Sequence, residues 1–312
     1  MQPLISVGRF GPWILCAAAV AGLVLPGLAH AAVPYIGWAV SVFALGVFLR
    51  VDLGALRHVG RCPGATSGAL LGCVVLVPMA GAFGARALGL PPDMVMGVAL
   101  VCLAPSSAAA IAGMLGLDAT LAAAAMAGAA LAAPWTIPWL AASVGIAESV
   151  NSDVLMSNLA WLVGPPAAVA LVLKLKAPSF AERVKESATG LSTLGLTVLA
   201  VGAMDGVAAR AGSDPLTALG YLAGAYGLNL ALQGLGILCS ARLARADALT
   251  MGLCYGNRNV GLVWAACGSL VADHPLVKLF LSMSLLAIFT IPVMQKIWSE
   301  CVHKRTNTLV RA

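Results

Sequence analysis

Long apolar runs dominate the chain, and short polar or glycine- and proline-rich breaks divide them. A helix that crosses a bilayer needs about 20 apolar residues. The pattern predicts ten such spans, at residues 11–30, 33–50, 66–88, 93–115, 119–145, 156–175, 189–209, 215–241, 247–271 and 275–297. Most connections between them are short. The longest polar one, "KAPSFAERVKES", runs from Lys176 to Ser187 at mid-chain.

Two spans are interrupted in their middle. The fourth reads "MGVALVCLAPSSAAAIAGMLG" and carries Pro105, Ser106 and Ser107. The ninth reads "LTMGLCYGNRNVGLVWAACG" and carries Gly256, Asn257, Arg258 and Asn259. Proline removes a backbone donor and clashes with the preceding turn, while glycine and asparagine tolerate non-helical dihedrals. Unwound backbone at membrane depth survives where protein or a water-filled cavity satisfies it. One break falls in the fourth span of the first five, the other in the fourth of the next five. Five is odd, so the second half enters the membrane with opposite orientation. Repeat one (11–145) and repeat two (156–297) then form an inverted pair, the pattern of a secondary transporter whose site lies where the broken helices meet. Half-helix N-termini offer positive dipole ends there, and C-termini offer carbonyls.

Composition agrees with that pattern. The 312 residues are 61% hydrophobic and 10% charged, against about 25% charged in soluble domains. A mean hydropathy of +0.96 indicates an all-α polytopic membrane protein, one membrane domain over 1–312. The net charge of +6 lies mostly in loops, with no basic stripe interleaved with aromatics, so no nucleic-acid partner is expected. If the N-terminus is cytoplasmic, fourteen of the 18 Lys and Arg residues fall inside. Three, Arg86, Arg210 and Lys278, fall outside, and Arg258 lies in the membrane. The expected location is a bacterial inner membrane with both termini cytoplasmic. The first span has a second reading as a cleaved signal peptide, since "RFGPWILCAAAVAGLVLPGLAHAA" has a basic start and an A-x-A-like end. The eight cysteines lie mostly inside apolar runs without pair spacing and read as small buried side chains.

Several stretches resemble the bile acid:sodium symporter family. "GNRNVGLVWAA" is similar to its ninth-span motif, "CLAPSSAAAIAG" to its fourth-span motif, and "GCVVLVPMAGAF" to its third span. "FLRVDLGALRHVGRCPG" resembles the loop after its second span. The resemblance implies a panel and a core of helices, with spans four and nine crossing at their breaks and substrate entering between the two groups. Core helices are expected within 66–145 and 189–271, panel helices in the remainder. The sodium-site positions of the family depart. Its ninth-span glutamate aligns with Cys254, the following glutamine with Arg258, and the third-span glutamine with Cys73. The fourth-span Ser-Asn pair aligns with Ala110 and Ile111, and the fifth-span hydroxyl ligands with Ala122 and Met126. Asn259 and Gly261 are kept. Sodium, a hard cation, needs several oxygen ligands, and these positions hold carbon, sulfur or a fixed positive charge.

An arginine in the middle of a membrane helix costs roughly 3 kcal/mol. Arg258 is therefore expected to stand where sodium stands in the family. Its guanidinium would lean on the carbonyl ends of the first halves of spans four and nine. Asn257, Asn259, Gly256, Pro105, Ser106, Ser107 and Cys254 complete the crossing. A purely structural clamp on unwound backbone is the alternative. Cys73, Cys102, Asn229 and Gln233 are candidate crevice residues. Asn229 and Gln233, four apart, share a helix face and suit interhelical bonding as well. Asn158 reads similarly at the start of span six, and Asp205 and Arg210 read as interfacial.

The function expected is sodium-independent secondary transport of a small organic anion, since guanidinium binds carboxylate or sulfonate bidentately. Two others stay open. One is metalloid efflux through Cys73, Cys102 and Cys254. The other is a membrane sensor that binds without transport, which the short tails disfavour. No H-E-x-x-H, G-x-S-x-G or paired carboxylates occur, and the four histidines show no ligand spacing. An enzyme, a cofactor and a metal site are not expected.

Overall fold

The computed structural model describes residues 2–51, 67, 70–143 and 151–311. Among them the secondary structure is helical, with no strand. Six helices are long and apolar enough to cross a membrane: Pro26–Arg50, Ala119–Ser143, Ser152–Lys176, Ser187–Ser213, Pro215–Cys239 and Pro275–Trp298. Shorter apolar helices cover Gly11–Val24, Gly72–Ala87 and Pro92–Leu103. Most of the family-like loop after span two (residues 52–64), the start of span three and the end of span five lie outside the described residues, as does the Ala110 side chain.

In chain order the helices are α1 (Gln2–Arg9), α2 (Gly11–Val24), α3 (Pro26–Ala32), α4 (Ile36–Arg50), α5 (Val77–Ala87), α6 (Pro92–Leu103), α7 (Ala109–Met114) and α8 (Ala119–Ser143). They continue as α9 (Ser152–Lys176), α10 (Pro178–Gly202), α11 (Val207–Ser213), α12 (Pro215–Cys239), α13 (Arg245–Gly256), α14 (Val260–Ala266), α15 (Gly268–Asp273) and α16 (Pro275–Arg311). A π turn at Gly72–Leu76 leads into α5. Asp118, Asn151 and Asp214 start α8, α9 and α12 by accepting backbone N–H groups of the first turn.

An apolar surface facing outward marks these helices as membrane elements. In α9 the buried positions Leu155, Leu159, Val163, Pro166 and Ala170 recur every three or four residues and form one stripe. Much of the remaining surface of that helix is apolar too, yet exposed, as at Val154, Trp161, Leu171 and Leu175. Trp38, Trp135, Trp139, Trp161, Leu216 and Leu238 are all more than 60% exposed. Such surface is stable against lipid rather than water.

The helices pack in two groups. In one, α10 lies along α1, α2 and α4, and α9 lies on α4. Close approach depends on glycine: a Cβ on Gly195 would strike Ala39 O, and one on Gly22 would stand 2.6 Å from Val201 O. In the other group α5 packs on α6, α12 on α13, and α16 on α6 and α12. Here Gly236 of α12 faces Gly252 of α13, where a Cβ would stand 2.8 Å from the Gly252 Cα. The two groups touch where α16 meets α2 and where α14 meets α4 and α9. The fourth-span break lies between α6 and α7, and the ninth-span break between α13 and α14.

Candidate functional site

The two breaks lie against each other. Ser106 and Arg258 form an antiparallel β-bridge. Ser107 N–H donates to Asn257 O at 2.8 Å, and Asn259 N–H donates to Pro105 O at 2.6 Å. Each unwound segment thus satisfies the other's backbone, as it must where water is scarce. Proline fits position 105 because the bridge uses its carbonyl and needs no N–H there. Side chains complete the turn. Ser107 Oγ donates to Asn257 O at 3.2 Å, and Ser106 Oγ accepts Ala108 N–H at 3.3 Å. Asn259 Oδ1 accepts Leu262 N–H at 3.3 Å and so caps α14.

Arg258 is 2% exposed. Its Nη1 donates to Cys73 Sγ at 3.0 Å, and its Nη2 donates to Cys73 O at 3.2 Å and Cys102 O at 2.9 Å. Both carbonyls are spare for local reasons. Cys102 sits in the last turn of α6, and its helical donor would be Ser106 N–H, which lies beyond the break. Cys73 sits in the π turn, where Val77 N–H goes to Gly72 O. Pro78, next in line, has no N–H. The expected lean on the first half of span four is present. The lean on span nine is replaced by span three, because the π turn frees the Cys73 carbonyl.

Three of the five guanidinium N–H groups are used in these bonds. Nε is buried with no partner, as is Asn257 Oδ1. Asn257 Nδ2 donates back to Leu253 O at 3.3 Å. Among the described residues no acid pairs with Arg258; the ion pairs of Asp93, Glu182 and Asp205 lie elsewhere.

Arg258, Asn259 and Ser107 line a cavity of about 80 Å³ between the two helix groups. Pro12, Phe43, Val47, Arg50 and Thr193 face them from α2, α4 and α10. Arg50 and Arg258 are the charged residues of its lining, and no Asp or Glu is among them. Ile111 and Met126, two positions of the family's sodium ligands, present apolar side chains to the same space. Ala122, a third, is fully buried.

The other candidates fall behind the crossing rather than in the cavity. Cys73, Cys102, Asn229 and Gln233, the expected crevice residues, are absent from its lining. Cys73 Sγ donates to Cys254 O at 3.7 Å, whereas Cys102 Sγ turns toward Gly81. Among the described residues no three His, Cys, Asp or Glu side chains are placed to hold a metal ion, so the three sulfurs form no joint ligand set. Asn229 and Gln233 belong to a polar chain between helices. Gln295 Nε2 donates to Gln233 Oε1 at 2.8 Å, Gln233 Nε2 to Asn229 Oδ1 at 2.8 Å, and Asn229 Nδ2 to Gly256 O at 2.9 Å. That last bond serves a carbonyl at the end of α13 that has lost its helical donor. Gly256 allows the approach, since a Cβ there would meet Asn229 O at 2.8 Å. Asn158 Nδ2 donates to Ala266 O at 2.9 Å and ties α9 to the end of α14.

Two features were missed in the sequence. Arg50 entered only as one positive charge among the loop-side residues. The second is a clasp at the end of α10 remote from Arg50. Lys278 Nζ donates to Asp205 Oδ2 at 2.8 Å, and His30 Nδ1 lies 3.4 Å from Asp205 Oδ1. Ser282 Oγ donates to Ala203 O at 2.6 Å. Charge spacing along the chain carries no hint of these pairings. Compared with known families and curated proteins, the chain matches no family model and no curated sequence.

Proposed function

We propose that the chain is a secondary transporter of an organic anion, built like the bile acid:sodium symporters but not coupled to sodium. One observation carries the reading. Arg258 is a buried cation with no acid beside it among the described residues, a free Nε, and a cavity against it that holds no other charge but Arg50. A buried charge needs a compensating one, and an anionic ligand supplies it.

The packing supports ten spans in two inverted repeats. An antiparallel bridge has a local two-fold axis, and helix pairs recur in matched couples. The pair α2 with α10 mirrors α9 with α4, and α5 with α6 mirrors α12 with α13. In this reading α10 joins the panel and α16 the core, the reverse of the expected grouping, because α10 packs on α1, α2 and α4 while α16 packs on α6 and α12. The first span packs into the bundle, with Gly22 against Val201 and Pro12 lining the cavity, which supports its reading as a membrane helix. Both termini are placed in the cytoplasm of a bacterial cell, and no enzymatic step or cofactor is invoked. A cavity at one end and a clasp at the other favour a carrier over a static sensor.

The test is counterflow of labelled organic anions in proteoliposomes, with and without sodium. Flux at equal rates in both is expected. A strict sodium requirement would falsify the fixed-charge reading, and binding without flux would favour the sensor.

A further inference from the structure

We infer that the ligand carries two acidic groups on a slim, unbranched body, one held at Arg258 and the other at Arg50. This rests on the anion-carrier reading and adds to it the class of anion. Arg50 ends α4 and lines the same cavity as Arg258. Among the described residues it forms no hydrogen bond or ion pair, unlike Lys174 at the same helix end, whose Nζ serves Phe48 O at 2.7 Å. The α4 carbonyls therefore have their cation, and Arg50 is left for the cavity.

The two charges stand at separate depths. Gly261, just past the ninth-span break, packs on Leu199, while Gly46 packs on Ser192 of the same helix. Seven residues of helix between those levels is about 10 Å, and Arg50 is one further turn, about 6 Å, beyond Gly46. Long side chains at both ends shorten the gap. Between them the walls are mostly apolar, with Phe43, Val47, Leu196 and Phe289, and the hydroxyls of Ser192 and Thr193 donate to helix carbonyls. The cavity's volume of about 80 Å³ is spread over that length. An apolar cavity of about 150 Å³ takes one benzene ring, so any ligand that reaches both guanidiniums must widen this slot, and a thin chain widens it less than a fused-ring body. A single acid would satisfy one guanidinium and leave the other facing an apolar wall.

The probes are straight-chain dicarboxylates of graded length and monocarboxylates of matched length, measured by calorimetry on the full chain in nanodiscs, with empty nanodiscs as blank. The best dicarboxylate is expected to bind at least tenfold tighter than its monocarboxylate, about 1.4 kcal/mol. Arg50→Gln should erase that preference by bringing dicarboxylate affinity down to that of the matched monocarboxylate, and Arg50→Lys should keep part of it. Equal binding of both series by the native chain, or a preference that survives Arg50→Gln, overturns the inference while the anion reading stands. Binding of neither series by natively folded protein overturns both.

Discussion

Replacing Arg258 with glutamine separates a ligand site from a clamp. The guanidinium serves a thiol and two carbonyls at 2.9–3.2 Å. Leaving the Cys73 and Cys102 carbonyls without a donor costs about 1–3 kcal/mol each, and the shorter glutamine amide restores part of that. Against this, the unpaired cation's own desolvation penalty, several kcal/mol, disappears. The two terms nearly offset, so Arg258→Gln should change stability by no more than about 2 kcal/mol, a shift of several degrees in Tm. Ligand binding has no such offset. Losing a charged hydrogen bond costs about 1.5–3 kcal/mol, or roughly 10–150-fold in Kd. Thermal unfolding with and without a bound anion reads both quantities. At 100 times its Kd an anion adds about 2.7 kcal/mol to the native chain. At the same concentration the variant should gain about 1.4 kcal/mol or less. A variant that unfolds far earlier yet keeps the full ligand-induced gain would refute the site reading, because Arg258 would then hold backbone and nothing else.

Other expectations follow from the packing. Asp205→Asn and Lys278→Ala should each weaken the clasp by up to about 1 kcal/mol, discounted because both side chains are about a quarter exposed. A double-mutant cycle by chemical unfolding should show the coupling, and strictly additive effects would mean that the pair contributes nothing. Gly256→Ala should destabilise by about 1–3 kcal/mol through the clash with Asn229 O. Gly220→Ala, inside α12 with nothing within 4 Å, should stabilise by about 0.5–1 kcal/mol; thermal shifts of equal sign in the two variants would contradict the packing. Asn229→Ala should cost about 0.6–1.7 kcal/mol, the range for interhelical bonds in membranes. Transport lost at unchanged stability would instead put Asn229 at the ligand.

Both breaks were legible because proline, glycine and asparagine interrupt apolar runs by rules that act on the local chain. That they meet was expected from the repeat pattern and the family resemblance, but the pairing of particular residues was not, since an antiparallel bridge between residues 106 and 258 is a long-range contact. The partners of Arg258 divide the same way. Cys102 was readable as the last turn before a break. Cys73 was not, because the π turn that frees its carbonyl shows in sequence only as a proline five residues on. Asn229 and Gln233 illustrate a limit of periodicity. A four-residue spacing shows that two side chains share a face, but packing decides whether that face meets a cavity or another helix. Here it meets Gln295 and Gly256.

The charge at the crossing follows from how the backbone is satisfied. In the bridge, Ser106 and Arg258 are the pair flanked by hydrogen bonds rather than joined by them, so their side chains emerge close together on one side. Two orphan carbonyls point into the same region, and they attract a cation whether it is mobile or covalently held. A mobile cation leaves with the ligand and links the flux to its own gradient. A guanidinium attached to the chain cannot leave, so in the proposed carrier it would offer the anion a counter-charge throughout and bring no ion-gradient energy. On that reading the residue that joins the two orphan carbonyls at the crossing also removes one source of driving force. Net flux must then follow the anion's own gradient, a proton, or exchange for a second anion. For the proposed carrier the expected behaviour is counterflow that an imposed sodium gradient neither drives nor concentrates, and sodium-driven accumulation of the anion would refute it.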